Sequence, residues 1–97
     1  MAEQAQEKLP ENVVFIGRKP SMSYVLGVIT QLSNGQKEVF IKARGRAISK
    51  AVDVAEIVRR KFVQDAKISN VEIGTEERQL ENGQKINVST INITITK

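Results

Sequence analysis

Twice along this chain an apolar strand runs through a glycine and a cluster of cations straight into a helix, and that repeated junction constrains the fold more than any other feature. The fuller copy is Ile41-Lys42-Ala43-Arg44-Gly45-Arg46-Ala47-Ile48-Ser49. Strand propensity in Glu38-Val39-Phe40-Ile41 ends at Gly45 and helical spacing starts at once, so Lys42, Arg44 and Arg46 are expected at or near the strand-to-helix corner. A helix start offers unpaired backbone N–H groups and the positive end of a dipole, and arginine forks beside it make an anion site. The plainer reading is a solvated basic loop.

The second copy is Gly17-Arg18-Lys19-Pro20-Ser21. It follows Asn12-Val13-Val14-Phe15-Ile16, a short continuous apolar run that reads as a central strand buried on both faces. Pro20 stands where a first helical turn tolerates proline, and Met22, Val25, Leu26, Ile29 and Leu32 follow at helical spacing, with Tyr24 and Val28 off the stripe. So apolar a helix invites a partner subunit on one side. Ser33-Asn34-Gly35 supplies its stop. If the two strands are parallel neighbours joined by the usual crossover, both corners open at the same sheet edge, and Arg18, Lys19, Lys42, Arg44 and Arg46 converge.

Charge distribution supports that convergence. The formal net charge is +4, yet residues 18–67 alone carry +7, while residues 1–17 carry −2 and residues 68–97 carry −1. Such concentration is the footprint of a polyanion-binding face. No basic helix carries exposed Trp or Phe, so a membrane surface is a poor partner, and no run approaches the length of a membrane span. Residues 1–11, polar and acidic, read as a flexible tail rather than a signal peptide, leaving 12–97 as one domain and a cytoplasmic setting as the expectation. Cysteine and histidine are both absent. That excludes disulfides and thiolate chemistry, leaves Ser49 without a histidine base, and restricts metal coordination to carboxylates; neither a metal nor a cofactor is expected.

A second helix is predicted from about Ala47 to Val63, with Ile48, Ala51, Val52, Ala55, Val58 and Phe62 as its core stripe. Asp53, Glu56 and Asp65 are too scattered for a nuclease metal site and are more simply ion-pair partners for Lys50, Arg60 and Lys61. Ile57 falls on the polar side, and with Phe62 it is a candidate for an association surface. The last third reads as a hairpin: Lys67 to Arg78 outward, an Asn82-Gly83 turn, and Lys85 to Lys97 returning. Val71, Ile73, Ile91, Ile93 and Ile95 can cover a core near its base, whereas the tip, from about Glu76 to Lys85, offers only Leu80 and should project into solvent. The apolar phase changes between Val88 and Ile91, which predicts a bulge or strong twist near Ser89-Thr90.

Four stretches together, Ile16-Gly17-Arg18-Lys19-Pro20, Tyr24-Val25-Leu26, Ile41 through Asp53, and Val88-Ser89-Thr90-Ile91, resemble Alba, the archaeal chromatin protein family. The resemblance implies an α+β fold of βαβαββ order: a two-layer domain with a four-stranded mixed sheet, two helices and a protruding C-terminal hairpin arm. It further implies a homodimer whose arms extend like wings, and binding of double-stranded DNA with little sequence preference; RNA, in structured form or within ribonucleoprotein particles, is the alternative. Arg18 and Lys19 match the family's basic turn and Lys42, Arg44 and Arg46 its central basic loop; the arm adds Arg78 and Lys85. Phe62 matches an aromatic that joins dimers along DNA in some members.

Three departures stand out. Arg18 replaces the turn lysine that is acetylated in some members, which leaves Lys19 as the candidate for modification. Pro20-Ser21-Met22-Ser23-Tyr24 replaces the commoner Pro-Val-Met-Asn-Tyr. Across residues 76–85, Glu76, Glu77 and Glu81 outnumber Arg78 and Lys85, so the arm is net −1 and would be repelled from a narrow minor groove. No helix presents a row of side chains suited to base edges, so backbone readout is expected. Phe15, Phe40 and Phe62 are assigned to core or interface, which argues against stacking of single strands.

Overall fold

The computed structural model describes residues 12–97; the expected tail at 1–11 lies outside them. Four strands, β1 (Val13–Phe15), β2 (Glu38–Arg44), β3 (Lys67–Gln79) and β4 (Lys85–Thr96), alternate with α1 (Ser21–Ser33) and α2 (Ile48–Ile57) in the order βαβαββ. A single 3-10 turn, Gly45–Ala47, leads into α2, and a π turn, Val58–Phe62, ends it. The sheet runs β1-β2-β4-β3, with β1 parallel to β2 and the other pairs antiparallel. The α+β, mixed-sheet expectation therefore holds.

Register explains where the core lies. Val39 pairs with Ile95, Ile41 with Ile93 and Ala43 with Ile91, and all six are buried. Paired residues share a face, so these odd-numbered positions form one apolar surface across β2 and β4. Val25, Val28 and Leu32 of α1, with Ala51, Val54 and Ala55 of α2 and Val58 beyond it, close over it. Each fully buried aliphatic side chain contributes roughly 1.5–3 kcal/mol relative to exposure.

Several expectations need correction. β1 is an edge strand, not a central one; Val13 and Val14 are half-buried, and Phe15 is 50% exposed. Its apolar run reflects Ile16 and Val14 turned toward the helices while Phe15 lies on the other face. In α1 the buried stripe is Val25, Val28 and Leu32, whereas Met22 and Leu26 are exposed. In α2, Val54 is buried and Val52 exposed, Ile57 packs against the core rather than standing out in solvent, and Phe62 is half exposed. The helices lie over β1, β2 and β4 and leave β3 largely uncovered. Val71 and Ile73 pair with Ile93 and Ile91, so they share the helix-side face, yet lie beyond the helices and are exposed.

Turn chemistry follows the residues. Gly35, at a φ of 98°, ends α1: its N–H reaches the Leu32 carbonyl and the Gln36 N–H reaches that of Gln31, a Schellman closure. At the arm tip, the Leu80 carbonyl accepts from Gly83, whose φ is 88°, and Leu80 and Gln84 pair through the backbone, so the loop spans Glu81-Asn82-Gly83. The arm from Val71 to Asn87 is exposed throughout. No bulge occurs at Ser89-Thr90, where pairing with Thr75 and Gly74 runs unbroken; the irregularity falls between Ile68 and Asn70 on the facing strand. The change of phase in β4 has another cause. Val88 lies on the open face and packs by the Gly45 corner, 3.6 Å from where a Cβ would stand.

Candidate nucleic-acid interface

The two strand-to-helix corners do converge, because β1 and β2 are parallel neighbours and both strands leave the sheet at the same edge. Between them lies an open cleft of about 560 Å³, lined by Ile16, Gly17, Arg18, Arg44, Arg46, Ala47, Lys50 and Arg78. Five of these eight carry positive charge. Arg78 arrives there because even-numbered residues of β3 share the open face of the sheet, in line with the even-numbered Arg44 at the end of β2.

The remaining expected cations are elsewhere. Lys19 sits on the first corner, exposed, and does not line the cleft. Lys42 is half-buried on the open face, in a cross-strand row with Phe15 and Asn92. There it borders a second hollow of about 610 Å³, whose lining includes Phe15, Arg44, Glu72, Glu76, Thr90 and Asn92. Lys85, opposite Gln79, belongs to the other face of the arm, with its ammonium 3.9 Å from Glu77. Ile16 and Arg44 border both hollows, and Arg44 is the charged residue they share.

Backbone fixation of the first corner comes from two side chains. The Tyr24 hydroxyl oxygen accepts from the N–H of Gly17 (2.9 Å) and of Lys19 (3.1 Å). The Lys50 ammonium donates to the carbonyls of Lys19 (2.7 Å) and Gly17 (3.2 Å). Glu76 of the arm accepts from the Arg44 guanidinium at 3.0 Å, with both side chains more than half exposed. Glu56 lies outside the cleft and holds Arg59 at 2.6 Å and Arg60 at 2.8 Å. Hydrogen bonds from Arg59 and then Arg60 keep its carboxyl below the usual range.

The sequence pattern of the Alba family matches residues 12–75, most of the chain. The chain belongs to the Alba family. "DNA/RNA-binding protein Alba" of Methanocella arvoryzae is 58% identical over 86 residues, covering 88% of this chain and 90% of that one. The protein of the same name from Thermoplasma acidophilum is 53% identical over 87 residues, covering 90% and 97%. Among solved structures, Alba from Thermoplasma volcanium superposes with a TM-score of 0.84 at 52% identity, covering 89% of this chain and all of the other. ALBA1 from Trypanosoma brucei superposes with a TM-score of 0.75 at 27% identity, covering 93% and 72%.

On this Alba fold, sequence reasoning missed how Tyr24, Lys50 and Glu76 are used. From the sequence Tyr24 is only a residue off the apolar stripe of the first helix, and Lys50 an ion-pair partner of a helix carboxylate. Neither role leaves a local signal: the partners of Lys50 lie 31 and 33 residues away, and those of Tyr24, though only five and seven residues back, are backbone N–H groups that no residue type marks. Glu56 does pair with Arg60 as expected, and Arg59 joins it.

Proposed function

We propose that this protein is a non-enzymatic, architectural binder of double-stranded DNA, acting as a homodimer through phosphate contacts with little sequence preference. The observation that carries the reading is the convergence of Arg18, Arg44, Arg46 and Arg78 on one open cleft, all side chains of the type that fork onto phosphate oxygens. Lys19 and Lys42 flank it. The relatives named DNA/RNA-binding protein Alba support nucleic acid as the ligand. Among the described residues no group of three or more acidic side chains is gathered where it could hold a metal ion, and none of the helices is long and apolar enough to cross a membrane.

Backbone readout implies counterion release, with a slope of log affinity on log salt near −0.9 per phosphate contact. A dimer making about five contacts loses roughly five-hundredfold in affinity between 50 and 200 mM salt. A titration on random-sequence duplex DNA checks this, and a slope near zero sinks the electrostatic reading. Arg44→Glu should abolish most of the binding.

One observation favours RNA as a second reading. Phe15, assigned by sequence to the core, is half exposed beside Lys42 and Arg44, and an aromatic next to cations on an open sheet face can stack an unpaired base. Phe15→Ala separates the two readings. Loss of single-stranded RNA binding, with duplex DNA binding intact, supports the second; an equal effect on both, or none, argues against it.

A further inference from the structure

Gly17, Arg18 and Lys19 form a corner with no ladder or helical hydrogen bonds of their own, yet four of its backbone polar groups are satisfied by two side chains. Tyr24, from the first turn of α1, takes the N–H groups of Gly17 and Lys19 on one hydroxyl oxygen. Lys50, from the first turn of α2, covers the carbonyls of the same two residues with one ammonium. The corner is thus gripped on its donors by one helix and on its acceptors by the other. Gly17 also fits this grip closely: a Cβ there would stand 3.3 Å from the Tyr24 hydroxyl.

Lys50 lines the cationic cleft, where it looks like one more phosphate contact. Its ammonium is already committed to two carbonyls, one of them at 2.7 Å. Because Lys50 lies in the first turn of α2, which follows the Gly45–Ala47 turn directly, its bonds tie the corner bearing Arg18 and Lys19 to the corner bearing Arg44 and Arg46. We propose that Lys50 and Tyr24 are positioning residues: they fix the spacing and orientation of the two cationic corners, so that both meet the phosphates of one nucleic acid without first having to be ordered. The inference rests on the proposed phosphate-binding role of these corners. Its physical basis is preorganisation, since immobilising a loose corner and its long side chains on binding subtracts from affinity.

Two outcomes follow for Lys50. A direct phosphate contact contributes independently of the first corner, so its removal costs the same whether or not Arg18 and Lys19 are present. A positioning residue acts through them. Affinity for a random-sequence DNA duplex at fixed salt should therefore be measured for Lys50→Met in the wild-type background and in Arg18→Gln/Lys19→Gln. The expected result is a loss of about tenfold in the first and under about twofold in the second, a tenfold change being what one charge-assisted hydrogen bond is worth. Equal losses in both overturn the proposal.

Tyr24→Phe, which deletes the hydroxyl and keeps the ring packed, should weaken binding in the same direction and show the same dependence on Arg18 and Lys19. A direct structural readout accompanies both variants. Amide hydrogen exchange at Gly17 and Lys19 should accelerate at least tenfold in Tyr24→Phe while exchange in β2 and β4 stays as in the wild type. Unchanged exchange at those two amides overturns the grip itself. If Arg18→Gln/Lys19→Gln alone binds like the wild type, the first corner has no part in binding, and the exchange measurement still decides whether the grip exists.

Discussion

At the scale of single residues, the decisive pair is Arg44 and Glu76. Arg44 stands at the junction of both hollows, and the arm carboxylate holds it at 3.0 Å. A phosphate must displace that carboxylate or share the guanidinium with it. The pair is solvent-exposed, so it is worth no more than about 1 kcal/mol, which corresponds to a severalfold effect on affinity rather than an on-off switch. Glu76→Gln should tighten duplex DNA binding by about three- to fivefold at low salt, checked by fluorescence anisotropy. In an Arg44→Gln background most of that gain should vanish; a gain that persists in full would assign the effect to general repulsion by the arm. Glu76 was legible in the sequence as part of an acidic arm. Its partner was not, because residues 44 and 76 meet only through the β2-β4-β3 pairing.

At the scale of elements, α2 and its π turn show how far periodicity reaches. The 3.6-residue repeat locates the helix and most of its buried stripe, but Val52 and Val54 are both valines two residues apart, and only packing on the sheet decides that Val54 is the buried one. The widening of the last turn, where the Val63 N–H reaches back to Val58, turns Phe62 half out into solvent. Glu56 spans this switch by holding Arg59 and Arg60. Its folded carboxyl titrates below the unfolded value of about 4.3, so the stabilisation is fully present above that pH and is lost as pH falls through the folded value. Thermal denaturation of Glu56→Gln should therefore show a shallower loss of stability than the wild type between about pH 5 and pH 2, with the two differing by no more than about 1 kcal/mol at neutral pH. Parallel curves would show that the ion pairs contribute nothing to folding.

At the scale of the whole molecule, the uncovered helix-side face of β3 is the feature most in need of a partner. Val71 is 52% exposed and Ile73 81%, although their cross-strand neighbours Ile93 and Ile91 are buried. A second copy covering this face would extend the core outward across β3, in keeping with the proposed homodimer. Ile73→Asp should convert a dimer to a monomer in sedimentation equilibrium while the far-ultraviolet spectrum stays unchanged. A wild type that sediments as a monomer at micromolar concentration would remove this part of the proposal.

What the sequence determined by itself is everything decided within a few residues. The order of elements, the Schellman stop at Gly35, the glycine turn at the arm tip, the two cationic corners and the exposed arm all depend on local backbone preference and on side-chain period. The Alba resemblance was carried by the same local motifs. The tertiary structure decided what depends on neighbours distant along the chain: that β1 is an edge, that the helices stop short of β3, that Lys42 borders one hollow while Arg44 borders both, and that Lys50 spends its charge on the backbone of another corner. Burial and hydrogen-bond partnership belong to pairs of surfaces, and a single strand or helix carries only half of each pair.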